Sequence, residues 1–138
     1  MIRYLIDINV ISELRKPKPH PGATAWVRSL SDGQIFISAV TFGEVQRGIE
    51  RTRLQNFTKA REIEVWANQL SNSYQILPMD VECFREWARL MEGKSDTLRI
   101  TAMIAATALV HGLTVATRNT RDFKVFQVPV FDPFESNK

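Results

Sequence analysis

Five short apolar runs, separated by stretches with helical period, constrain the fold of this chain more than any other feature. The runs are Arg3–Asp7, Ile35–Ser38, Gln75–Met79, Leu113–Thr117 and Val128–Phe131. Strands that alternate with helices are joined by crossovers, and crossovers within one sheet give parallel strands covered by helices on both faces. Strands buried on both faces read as continuous apolar runs, as Leu5-Ile6 and Ile35-Phe36-Ile37 do. An α/β protein with a central, mostly parallel sheet is therefore expected. Pro78, which has no N–H to donate, places the third run at an edge or at its own end.

The intervening segments read as helices. Asn9 caps a short one through Leu14, which Pro17, Pro19 and Pro21 then stop. Ala23 to Leu30 carries Trp26. From Thr41 the period turns helical, with Phe42, Val45 and Ile49 on one side and Glu44, Arg47 and Arg51 on another. Longer helices are expected from Leu54 to about Ser73 and from Val81 to Met91. An alanine-rich helix opens at Thr101 and ends at His111, stopped by Gly112.

With 138 residues the chain suits one domain, 1–138, large enough to bury a core without disulfides. Cys83 is its only cysteine, which excludes an internal disulfide and fits a reducing cytosol. The opening Met1-Ile-Arg-Tyr-Leu-Ile meets Asp7 too soon for a signal peptide, and no run reaches the ~18 apolar residues of a membrane span. A cytoplasmic protein is expected. The net charge of +3 permits a polyanionic partner without demanding one.

In parallel sheets of this kind, ligands bind in the crevice beyond the carboxyl ends of the strands. Asp7 ends the first strand, Glu44 lies in the first turn of the helix after the second, and Asp122 lies beyond the strand ending at Thr117. Clustered carboxylates repel one another unless a cation neutralises them. Magnesium prefers oxygen ligands, keeps several waters, lowers the pKa of a bound water and neutralises a phosphate. Asp7, Glu44 and Asp122 are thus candidate catalytic residues and metal ligands, Asn9 and Asn119 polar support, and Arg118 and Arg121 phosphate contacts. Each also has a structural reading. Thr41-x-x-Glu44 fits a capping box, Asn9 an N-cap, Asp122 a turn residue, and the arginines solvated surface charges. His20 and His111 lack zinc-site spacing, no glycine-rich phosphate loop is present, and Trp26, Trp66 and Trp87 fit packing better than base stacking.

These residues resemble the PIN-domain family, and in particular the VapC-like toxins of type II toxin–antitoxin pairs. The resemblance rests on Leu5-Ile-Asp-Ile-Asn-Val-Ile-Ser-Glu-Leu14, Ile37-Ser-Ala-Val-Thr-Phe-Gly-Glu44 with Arg47-Gly48, Ile104-Ala-Ala-Thr-Ala-Leu109 with His111-Gly112, Thr117-Arg-Asn119 with Asp122-Phe123, and Val128-Pro-Val130 with Pro133. It implies a three-layer α/β/α sandwich and a magnesium- or manganese-dependent endoribonuclease that works as a homodimer. It also implies a small VapB-like antitoxin, through which alone the pair reaches operator DNA. The metal ligands carry over as Asp7, Glu44 and Asp122.

Two departures stand out. Ile8 follows Asp7 where the family has a hydroxyl residue, and Thr101 opens a helix where the family has an aspartate. Threonine can cap a helix or bond a metal-bound water, but it brings no charge. Asp96, upstream in a loop, reads as a solvated residue rather than a replacement. Two other readings follow: a PIN scaffold with a weakened site that acts as an antitoxin-binding co-repressor, and a DNA nuclease on the same sheet.

Overall fold

The computed structural model describes residues 1–135. Its sheet contains β1 (Tyr4–Ile6), β2 (Ile35–Ser38), β3 (Gln75–Leu77), β4 (Thr114–Ala116) and β5 (Val130–Phe131). All are parallel, in the spatial order β3-β2-β1-β4-β5. Every apolar run contains a strand, and β3 both lies at an edge and ends at Leu77, just before Pro78. The last strand is shorter than expected, because Val128 is buried in the core and pairing begins only at Val130.

Among the described residues the helices are α1 (Ile8–Leu14), α2 (Pro21–Arg28), α3 (Ala39–Arg53), α4 (Phe57–Ser73), α5 (Val81–Met91), α6 (Arg99–His111) and α7 (Thr120–Lys124). They cover the sheet on both faces and complete the three-layer α/β/α sandwich. Neighbouring strand residues point to opposite faces, so one apolar run serves two cores. Leu5, Phe36 and Val115 pack with Ala105, Ile104 and Phe123 of α6 and α7, and Trp87 and Leu90 of α5 close that layer. Ile6, Ile35, Ile37 and Ala116 face Val10, Ile11, Trp26 and Leu70 of α1, α2 and α4. A smaller cluster joins α3 to α4 through Val45, Ile49, Ala60 and Ala67, with Ile8 against it. Leu5, Val10 and Ile49 are fully buried, worth about 1.5–3 kcal/mol each. The three tryptophans pack as expected; Trp26, for example, meets Tyr4 edge-on at 4.9 Å between ring centroids.

Several helix starts differ from those expected of the sequence, and the cap explains each. Asp7, not Asn9, caps α1, because β1 ends at Ile6 and the helix follows at once; its Oδ1 accepts from Ile8 N at 2.9 Å. Pro21 opens α2 rather than only closing α1, with His20 Nδ1 accepting from Ala23 N at 3.0 Å. Asn56 caps α4, so Leu54 falls in the connection. A 3-10 turn, Asp96–Leu98, leads into α6, which therefore begins at Arg99 and makes Thr101 its third residue instead of its cap. Gly112 ends α6 as expected, at φ 66° and ψ 39°. Among the described residues no helix is long and apolar enough to cross a membrane.

The strand order places the site. The chain steps outward from β1 to β2 and β3, then returns to lay β4 on the other side of β1. That reversal opens a crevice at the carboxyl ends of β1 and β4, where Asp7 and Thr117 follow the last paired residues, Ile6 and Ala116.

Candidate active site

Asp7 is almost fully buried at the end of β1. Its backbone N–H still pairs with Ala116 O at 2.9 Å, so the sheet holds it in register with Thr117. Its Oδ2 accepts from Thr117 Oγ1 at 2.8 Å and from Asn9 Nδ2 at 3.3 Å. Thr117 Oγ1 in turn accepts from Asn119 N at 2.9 Å, and Asn9 Oδ1 accepts from Arg118 N at 3.1 Å. One network thus ties the end of β1, the first turn of α1 and the loop after β4. Burial raises the Asp7 pKa above its ordinary value, against the hydrogen bonds from Thr117 and Ile8 that lower it. Sequence reasoning alone does not find Thr117. Its only signal there is a hydroxyl at the end of the strand that pairs beside Asp7.

Glu44 projects from α3 into the same region, where it feels the charge of Asp7. Ser38 caps α3, its Oγ accepting from Val40 N at 3.1 Å, which removes the capping-box explanation of Thr41-x-x-Glu44. Glu44 Oε1 is buried without a hydrogen-bond partner. Burial pushes the Glu44 carboxyl up to about 7, and the charge of Asp7 adds to that rise. A negative charge on Asp7 opposes loss of the Glu44 proton. Glu44 and Ile8 together sit between two adjoining hollows of about 420 Å³ and 560 Å³. Ile8, the first departure from the family pattern, packs its side chain toward the α3–α4 cluster.

The other candidates are arranged less tightly. Asp122 sits in the first turn of α7, where its Oδ2 accepts from Asn119 Nδ2 at 3.0 Å. Among the described residues no three His, Cys, Asp or Glu side chains gather as a metal-holding group. Of the three expected carboxylates, Asp7 and Glu44 feel each other's charge, while Asp122 accepts the hydrogen bond from Asn119. Thr101 is half-buried in α6, one residue past Ile100, which lines the larger hollow. Asp96 is exposed in its 3-10 turn. Arg118 is committed elsewhere: its guanidinium lies 3.6 Å from the centroid of the Phe134 ring. Arg121 is exposed. His20 serves as a helix cap, as above.

A buried carboxylate oxygen without a donor, beside a second buried carboxylate, is the arrangement a hard cation relieves. Magnesium needs only one or two carboxylates when waters and substrate phosphates complete its shell. Asp7 and Glu44 fit that requirement, and beyond Thr117 Asn119 caps α7 and Asp122 sits in its first turn.

A three-layer α/β/α protein with a pair of carboxylates, Asp7 and Glu44, at its topological switch point is the class that the fold and site define. The family model for the PIN domain matches residues 4–128, and this chain belongs to that family. Among curated relatives it is 34% identical to toxin FitB of Neisseria gonorrhoeae over 94% of this chain and 97% of that one. It is 31% identical to VapC ribonuclease Y4jK of Sinorhizobium fredii, over 95% and 97% of the two chains. The solved structure of FitAB bound to an IR36 DNA fragment superposes with a TM-score of 0.84 at 31% identity, covering 98% of both chains.

Proposed function

We propose that this chain is the endoribonuclease toxin of a toxin–antitoxin pair, dependent on magnesium or manganese held by Asp7 and Glu44 and completed by Asp122. The unpartnered Glu44 Oε1 beside Asp7 is the observation that carries the reading. A divalent ion bound there would neutralise a substrate phosphate and lower the pKa of a coordinated water. The chain's own groups do the rest. Thr117, Asn9 and the Ile8 N–H fix the orientation of the Asp7 carboxylate. Glu44 Oε1, which has no hydrogen-bond donor of its own, would hold the ion from the α3 side. Asn119 steadies Asp122 at the rim. Arg121 of α7 is the substrate contact, while Arg118, stacked on Phe134, braces the loop before that helix.

Relatives named as a VapC ribonuclease and a toxin, and similarity to a toxin bound with its antitoxin to DNA, support RNA as substrate and a VapB-like antitoxin as partner. Operator DNA would be met only through that antitoxin, and the chain would act as a homodimer in the cytoplasm. Cleavage of labelled RNA, with a DNA of the same sequence as competitor, tests the proposal. RNA cleavage that needs magnesium or manganese and disappears in Asp7→Ala is expected. Equal cleavage by both proteins, or a preference for DNA, rejects it.

A further inference from the structure

Residues Glu44, Arg47, Gly48 and Arg51 fall at helical spacings of three and four, so they share one face of α3. That face, with Val40 one turn before Glu44, forms one wall of the larger hollow, and Ile8 and Ile100 from α1 and α6 complete its lining. Arg47 and Arg51 are exposed and, among the described residues, form no ion pair. The nearby Glu50 does not neutralise them, since its carboxylate is taken by Arg53 at 3.2 Å and Gln46 at 2.7 Å. Gly43 and Gly48 are also on this wall. A Cβ at either position would meet no protein atom within 4 Å. Each glycine inside a helix costs about 0.5–1 kcal/mol relative to alanine, and nothing in the fold requires it. Open space above two bare turns, flanked by two free cations and ending at Glu44, fits a polyanion lying close along the helix.

We infer that the Gly43–Arg51 face of α3 is the track on which the sugar–phosphate backbone of single-stranded RNA lies as it approaches Glu44. Arg47 and Arg51, one turn apart, neutralise successive phosphates, and Gly43 and Gly48 let the strand come near the helix. This deepens the proposed function and rests on it for the identity of the polyanion. A positively charged groove that follows the backbone is the general device of sequence-tolerant single-strand binding.

The test is binding of a fluorescein-labelled oligouridylate to the full chain in EDTA, across potassium chloride concentrations. Replacing two phosphate contacts in R47Q/R51Q should flatten the slope of log K against log salt by about 1.4, at roughly 0.7 for each single-strand phosphate. Gly48→Leu should weaken binding about tenfold while melting no lower than the native chain, since leucine favours helix. Lys94→Gln, in the exposed loop before α6, should leave the slope unchanged. An unaltered slope in R47Q/R51Q, native binding in Gly48→Leu, or no binding by the native chain would overturn the inference. So would retained RNA binding with lost binding of an oligoglutamate, which would assign the face to an acidic protein segment. Because the assay needs neither metal nor cleavage, its failure is separable from failure of the nuclease reading.

Discussion

Thr117 Oγ1 donates a 2.8 Å hydrogen bond to Asp7 Oδ2, joining the ends of two adjacent strands whose residues are 110 positions apart. The bond makes Asp7 a placed carboxylate rather than a loop residue. Thr117→Val should cost about 1.5–3 kcal/mol, the range for a hydrogen bond to a charged group, and should raise the Asp7 pKa further. Thr117→Ser should restore most of the loss. Urea unfolding of the three proteins measures the stability change, and its pH dependence follows the Asp7 carboxyl.

Glu44 gives the protein a pH dependence of definite sign. Its carboxyl ionises at about 7 in the folded chain, against 4.5 for an ordinary glutamate. The folded state therefore holds the extra proton between those values. Stability contributed by this group falls as pH rises through that window and levels off above about 7. Asp7, also raised, acts with the same sign at the lower end. In EDTA the urea midpoint should be higher near pH 5 than near pH 8, and Glu44→Gln should flatten the difference.

A bound cation reverses that penalty. Magnesium at about 100 times its Kd should add about 2.7 kcal/mol to native stability through mass action. Asp7→Asn and Glu44→Gln should each lose most of this gain at the same ion concentration. Thermal melts with and without magnesium read it directly.

Thr101→Asp supplies the negative charge that the resemblance leads one to expect. If that charge reaches the ion, manganese binding by calorimetry should be at least about tenfold tighter, roughly 1.4 kcal/mol. Without metal the same variant should be less stable than the native chain, because a third carboxylate joins two that already repel. Unchanged affinity would show that this side chain does not reach the hollow.

Gly112 tests the fold apart from the site. At φ 66° it ends α6 in a left-handed conformation, so Gly112→Ala should cost about 1–2 kcal/mol by urea unfolding.

The strands were legible because Leu5-Ile6 and Ile35-Phe36-Ile37 are short apolar runs with β-branched and aromatic residues, closed off by polar residues too soon for a helix. Helix starts were less so. Asn9 and Asp7 both favour caps, and only the abrupt end of β1 decides between them. The four residues Thr41 to Glu44 satisfy a capping box on paper, yet Ser38 had already begun the helix. Five residues of α7, with Thr120, Arg121 and Asp122 among them, look like a turn until Phe123 is seen buried beneath. Asp7 and Glu44 stood out because lone carboxylates beside apolar runs are conspicuous. Thr117 did not, since a threonine in a strand is ordinary and its role exists only through the β1–β4 pairing. The hydrogen bond that engages Asp122 could not be read at all, because it depends on how Asn119 enters α7.

The most direct measurement is an NMR titration of the Glu44 side-chain carboxyl carbon, without and with magnesium. The account predicts a midpoint at about 7 in the metal-free protein, lowered by magnesium and also lowered in Asp7→Asn. A midpoint near the ordinary glutamate value, or one that magnesium leaves in place, would contradict a cation shared by Asp7 and Glu44.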